Sequence, residues 1–148
     1  MRLFRELKQP TCNTCLLTCL AMITGRSVKY VRKVFKGKGI LTPTVAEAIP
    51  FLVEHGIYLA LWVDMSREKL RVKDKLTLTL NIKNRPALLV VDVNGIVSHA
   101  VIWDGKRILD PNRDLKKPKR LSSYRIIEYW PITLSDERYN KLIKGEKK

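Results

Sequence analysis

Two dipeptides ten residues apart, Asn94-Gly95 and Asp104-Gly105, constrain this chain more than any other feature. Both pairs accept the positive φ angles that two-residue type I′ turns require. Apolar, β-rich runs flank them: "ALLVVDV" before, "IVSHAVIW" between and "RILDP" after. Such a pattern predicts an antiparallel three-stranded ribbon. Two-residue loops would set Val90 opposite His99, and His99 opposite Asp110. Directly opposed side chains share a face, with Cβ atoms roughly 4.5–5.5 Å apart. The middle strand then presents an imidazole beside a carboxylate that can accept its Nδ1–H and fix the ring. Pro111 ends the pairing. The expectation is sensitive to register, because a slip of one residue would send Asp110 to the other face.

The rest of the chain is read around that ribbon. Leu16, Leu17, Leu20, Ala21 and Ile23 recur at helical spacing, with Asn13 or Thr14 as N-cap and Gly25 as the stop. Ser27 opens a second helix, "SVKYVRKVFKG", with Val28, Val31 and Val34 on one side. A third, "VAEAIPFLVEHG", follows caps at Thr42–Thr44, and Pro50 is expected to kink or divide it. "IYLALWV" and "YRIIEYW" read as strands. "SREKLRVK" reads as a short helix or loop, and "LTLTLNI" fits either a strand or a helical connector. "LSDERYNKLIKG" starts with a Ser135 cap and reads as a C-terminal helix. Helices first and strands later is the α+β pattern. One domain spanning 1–148 is expected, with about 137–148 as a basic tail that frays.

All three cysteines fall within eight residues, Cys12, Cys15 and Cys19. Cys12-x-x-Cys15 is a zinc-knuckle spacing, but the second pair of ligands is missing, and only His55 or His99 could complete the set. No βαβ unit precedes it to suggest a redox motif. Neither a metal nor a cofactor is therefore expected. Cys19, amid Leu16, Leu20 and Ile23, reads as core filling. Cys15 differs because it occupies a first helical turn, where unpaired N–H groups and the positive end of the helix dipole stabilise a thiolate.

Lys and Arg number 29 against 14 acids, a net charge of +15, densest in "DLKKPKRLSSYR" and "NKLIKGEKK". Such an excess implies attraction to polyanions, whether nucleic acid, an acidic protein partner or anionic lipid, with a solvated surface and basic tail as the alternative. No apolar run nears the roughly 18 residues of a membrane span. "MRLFRELKQP" is basic without an apolar core, so a cleaved secretory signal is not expected. Free thiols in a reducing cytoplasm are the simpler expectation, the host's cytoplasm if a phage encodes the chain.

"Q9-x5-C15-LLTCLAMITG", then "GRSVKYVRKVF" and "EAIPFLVEHGI", resembles the papain-like cysteine peptidases of the double-glycine leader peptidase branch. "RPALLVV…SHAVIWDGKRILDP" resembles that family's strand carrying the catalytic His, its hairpin and its Asp-Pro. The resemblance spans about Gln9 to Pro111. It implies a papain-like α+β fold, with N-terminal helices carrying the Cys packed on an antiparallel sheet carrying the His and Asp. It implies Cys15 as nucleophile, His99 as general base and acid, and Asp110 as orienting residue. Gln9, on the resemblance alone, would donate a side-chain N–H to an oxyanion hole beside the backbone N–H of Cys15. Where the family reads Asp-Cys-Gly, this chain reads Thr14-Cys15-Leu16. Members are commonly fused to an export transporter, and no membrane or ATPase segment is read here, so their leader substrate is not carried over.

The implied activity is thiol-dependent acyl transfer or hydrolysis of a peptide or isopeptide bond in a protein or peptide substrate, with no cofactor. The alternative is an inactive papain-like scaffold whose basic surface binds nucleic acid or an acidic protein.

Overall fold

The computed structural model describes residues 3–11, 13–59, 63–64, 85–93, 97–117 and 119–145. The first helix, α1 (Cys15–Thr24), is hydrophobic nearly all round, and eight of its ten residues are buried. A helix of that kind belongs in the middle of a core rather than on its surface. Its two buried hydroxyls are satisfied locally, Thr18 Oγ1 by Thr14 O and Thr24 Oγ1 by Leu20 O, both at 2.7 Å. Gly25, at φ 74°, ends the helix in the left-handed conformation, and its N–H closes on Ala21 O.

Helix α2 (Val28–Gly37) is strongly amphipathic. Ser27 caps it by accepting from Tyr30 N, while Val31 and Phe35 face inward. Helix α3 (Val45–Glu54) starts from a capping box in which Thr44 and Glu47 each satisfy the other's backbone N–H. Of the two expected outcomes at Pro50, division does not occur: α3 runs through it as one helix. Both Pro50 and Ala46, whose carbonyl loses its partner, are exposed, so water can take the place of the missing N–H.

The strands are β1 (Ile57–Leu59), β2 (Val63–Asp64), β3 (Ala87–Asp92), β4 (Ser98–Trp103), β5 (Ile108–Leu109) and β6 (Arg125–Leu134). They form one antiparallel sheet in the order β1-β6-β3-β4-β5, with β2 on the same edge of β6 as β1. A single 3-10 turn, Leu121–Ser123, precedes β6. The helical and strand-like segments expected at 66–73 and 76–82 lie outside the described residues. The α+β class holds.

Strand β6 outruns the expected 124–130 by continuing through Pro131 to Leu134. The N–H of Ile132 points to Pro86 O at 2.9 Å, so by alternation the absent N–H of Pro131 faces the other edge. That edge is where pairing passes from β2 (at Tyr129) to β1 (at Ile132), so the proline breaks no ladder bond to β3.

The sheet is apolar on both faces, which is why β3 and β4 read as continuous hydrophobic runs. Leu88, Ala100, Ile102, Leu109, Trp130 and Ile132 pack against the helices. Leu89, Val91, Val101, Trp103, Ile108 and Tyr129 form a second cluster on the far face, under Leu121, Tyr124 and Ile126. Helix α1 lies against β4, with α2 and α3 against α1. The last helix, α4 (Asp136–Gly145), covers most of the segment read as a basic tail. Ser135 caps it, accepting from Arg138 N, and the Arg138 guanidinium in turn donates to Ile23 O and Thr24 O at the end of α1.

Candidate active site

Cys15 is the first residue of α1. Thr14 sits at the N-cap, yet its hydroxyl makes no capping bond to the helix. It instead donates to Thr11 O (2.8 Å) and accepts the Thr11 N–H (3.2 Å), knotting the preceding loop. With no acidic residue in that turn either, the N–H groups at the start of α1 keep their positive potential. The backbone N–H groups of Leu16, in α1, and Ala100, in β4, lie close enough to the Cys15 sulfur to favour its thiolate.

His99 stands near the start of β4 and hydrogen-bonds the Cys15 sulfur. Its Nε2 lies 2.7 Å from Asp110 Oδ1. The expected trio is therefore brought together, although neither hairpin has the predicted register. Val93 N bonds Val97 O, leaving three residues between them, and Val91 rather than Val90 opposes His99. In the second hairpin Asp104 N bonds Arg107 O, which places Gly105 and Lys106 at the tip. The Asp104 carboxylate accepts from both Lys106 N and Arg107 N at 2.8 Å, making Asp104 the capping residue before the turn rather than a corner of it.

The second ladder consequently pairs Trp103 with Ile108 and Ile102 with Leu109. Asp110 falls two positions from direct opposition to His99. A shift of two preserves the face, whereas a shift of one would have reversed it. It also turns the imidazole round. A diagonal neighbour has its Cβ roughly 7–8 Å away, within reach of the distal nitrogen rather than the proximal one. The expected Nδ1–H bond to Asp110 is thus corrected to Nε2, and Nδ1 is the nitrogen left for the thiol.

Asp110 is only 5% exposed and fully engaged. Oδ1 accepts from His99 Nε2 and from Asn112 N (2.9 Å), and Oδ2 accepts the Tyr124 hydroxyl at 2.6 Å. Burial alone would raise its pKa, but His99, Tyr124 and the Asn112 N–H together hold it below the usual carboxylate value. Burial likewise opposes charge on His99, and the bonds to Asp110 and then Cys15 overcome it, raising the imidazole to about 9. For Cys15, burial is again outweighed, here by His99 and the Ala100 N–H, and the thiol falls below its ordinary value. All three shifts act in one direction, favouring thiolate, imidazolium and carboxylate together.

No protein-family model matches this chain, and no curated protein is significantly similar to it. The site therefore rests on its own geometry.

Gln9 is also at this end of the molecule. Its N–H bonds Pro111 O (2.7 Å), next to Asp110, and Lys8 Nζ donates to Asp110 O (2.9 Å). Arg113 Nη1 donates to Pro10 O at 3.0 Å, so residues 8–10 are laced to 110–113. This lacing sets the loop before Cys15 beside the ribbon bearing His99. The Gln9 amide spends one N–H on Thr11 O (3.0 Å), while Oε1 is buried with no partner. A flipped amide would set Oε1 against the Thr11 carbonyl, so the orientation is fixed, and one N–H of Nε2 stays free.

The other sulfur and imidazole groups stand apart. Cys19 is 0% exposed, and burial drives its thiol pKa well upward, with the Cys15 and Asp110 charges adding to the shift. His55 Nδ1–H donates to Phe51 O (2.8 Å), and the ring packs on Phe51. Cys12 lies outside the described residues. Among those described, no group of three His, Cys, Asp or Glu side chains is placed to hold a metal ion, and no helix is long and apolar enough to cross a membrane.

Sequence reasoning missed Tyr124. It arrives from the 3-10 turn, across thirteen intervening residues, to bond the free oxygen of Asp110. No spacing rule relates positions 110 and 124. The one available signal was a polar-tipped aromatic at the start of a strand-like run.

Proposed function

We propose that this chain is a papain-like cysteine peptidase or related thiol acyltransferase, acting through Cys15, His99 and Asp110. The observation that carries the reading is the continuous relay from the sulfur at the head of α1, through the His99 ring, to a buried carboxylate 2.7 Å from Nε2. The Cys15 thiolate attacks the carbonyl carbon of a peptide or isopeptide bond, forming the C–S bond. His99 delivers its proton from the sulfur-facing side to the leaving amine as the C–N bond breaks. The neutral imidazole then takes a proton from water, whose oxygen attacks the thioester carbon and expels the thiolate. An amine in place of water gives acyl transfer.

Asp110 holds the ring in one orientation and balances its charge, without itself taking the proton. In this reading the free N–H of Gln9 and the backbone N–H of Cys15 stabilise the tetrahedral oxyanion. No cofactor takes part. The cytoplasm is the proposed site of action, in keeping with reactive free thiols.

The test is site-resolved alkylation with iodoacetamide, read by mass spectrometry. Cys15 is expected to react at neutral pH far faster than Cys19, and His99→Ala should bring it down to the rate of an ordinary thiol. Labelling of Cys15 that is slow, or indifferent to His99→Ala, overturns the reading and favours an inactive basic binding scaffold. Substrate trapping with Cys15→Ala then identifies the polypeptide acted on.

A further inference from the structure

The peptide leaves Asp110 at Pro111 and comes back to it at Tyr124, whose hydroxyl closes the circuit on Oδ2. The residues between form a loop anchored at both ends on the carboxylate that orients His99. Within it stand Arg113, Lys116, Lys117, Lys119 and Arg120, against a single acid, Asp114. All six are exposed. Several cations near the ribbon have acidic partners: Lys8 has Glu6 at 3.0 Å, Arg107 has Asp104 at 3.3 Å, and Arg125 has Asp92 at 3.4 Å. Among the described residues, Lys116, Lys117 and Arg120 have none.

The loop is also held toward the nucleophile's side. Arg113 reaches across to Pro10 O, in the stretch leading to Cys15, and Lys119 Nζ lies over the Tyr124 ring, 5.9 Å from its centre. An uncompensated row of cations is costly to assemble unless something anionic shares it. Its attachment to the carboxylate of the site says where that anion would lie.

We propose that this loop is a docking strip for an acidic stretch of the polypeptide substrate, placed so that a chain held there is delivered to Cys15. The inference rests on the function proposed above and names its substrate class. A peptide is favoured over nucleic acid because the strip belongs to the thiol site, and the electrophile a thiolate needs is a carbonyl.

Three chloroacetamide-bearing peptides, identical except for a block of four Glu, four Gly or four Lys, serve as probes. Thiolate attack displaces chloride and leaves a thioether on Cys15, counted by mass spectrometry. At low ionic strength the Glu probe is expected to label Cys15 about ten-fold or more faster than the Gly probe, with the Lys probe slowest. Added salt should erase the difference. The triple variant Lys116→Glu, Lys117→Glu, Arg120→Glu should lose it too. Lys29→Glu, Arg32→Glu, Lys33→Glu on α2 makes the same change in net charge and should keep it.

Equal rates for the Glu and Gly probes overturn the strip, even with a fast iodoacetamide reaction upholding the thiolate. Equal loss in both triple variants reduces the effect to overall charge and overturns it as well. Protection of Cys15 by a duplex DNA oligonucleotide, but not by a free Glu-rich peptide, assigns the loop to nucleic acid instead. Slow iodoacetamide labelling with the Glu preference intact sinks the catalytic reading and leaves a binding strip.

Discussion

Asp110→Asn separates charge from geometry at this site. The amide can still accept at Oδ1 from His99 and Asn112 N, and a rotated Tyr124 hydroxyl can accept from its NH2, so the three contacts of Asp110 are kept while its charge is removed. His99 is raised to about 9, against an ordinary value of about 6.5. The difference is worth up to about 3.4 kcal/mol of preference for the protonated ring, at 1.36 kcal/mol per pKa unit. Cys15 supplies part of this support and stays in place, so the midpoint should drop by at least about one unit without reaching 6.5. A full drop would cut the imidazolium fraction at pH 7.5 from about 97% to about 9%. The chain has only two histidines, so each ring can be followed separately by proton NMR across a pH series. In the parent, one ring should titrate near 9. In Asp110→Asn that midpoint should move down, and Cys15 alkylation at pH 7.5 should slow by as much as about ten-fold, since fewer imidazolium partners remain to hold the thiolate. A parent midpoint near 6.5, or one that Asp110→Asn leaves in place, would refute the charge relay.

Tyr124→Phe removes a charge-assisted bond worth about 1.5–3 kcal/mol, to be seen as lost stability in urea titration. It leaves Asp110 a stronger base, so the His99 midpoint should hold or rise, and a fall would show that Tyr124 acts in some other way. Gly56→Ala demands a left-handed alanine at φ 72° and sets its Cβ 2.6 Å from Ser135 Oγ. Backbone strain with loss of the α4 cap should cost about 2–3 kcal/mol, and an unchanged Tm would contradict that packing. Cys19→Ala should leave Cys15 alkylation kinetics unaltered while destabilising the chain in thermal melts; slowed kinetics would mean that the buried thiol is not merely core.

The helices were legible because their signals are local. Ser27, Thr44 and Ser135 declare three starts, and Gly25 declares an end in the conformation only glycine enters cheaply. The hairpins were legible in kind but not in count. An Asp-Gly pair serves equally as the corner of a turn or as capping residue plus corner, and only the hydrogen bonds of Asp104 tell which. The candidate trio survived because the error in the second hairpin was an even number of residues. The extension of β6 through Pro131 was not legible, since a strand tolerates proline wherever its missing N–H faces a gap, and such gaps are properties of the sheet. Tyr124 was out of reach because its meeting with Asp110 is made by tertiary closure alone.

Helix α1 combines two unlike duties along its length. Everything from Leu17 to Thr24 is enclosed in the core, while Cys15 at the tip is only half-buried and, on the function proposed above, is the residue that reacts. A lineage could exchange that tip for an inert side chain and still inherit an intact molecule. If the proposed reaction is right, selection for a sound fold alone would not preserve it, and working and silenced copies would look alike to a quality-control protease.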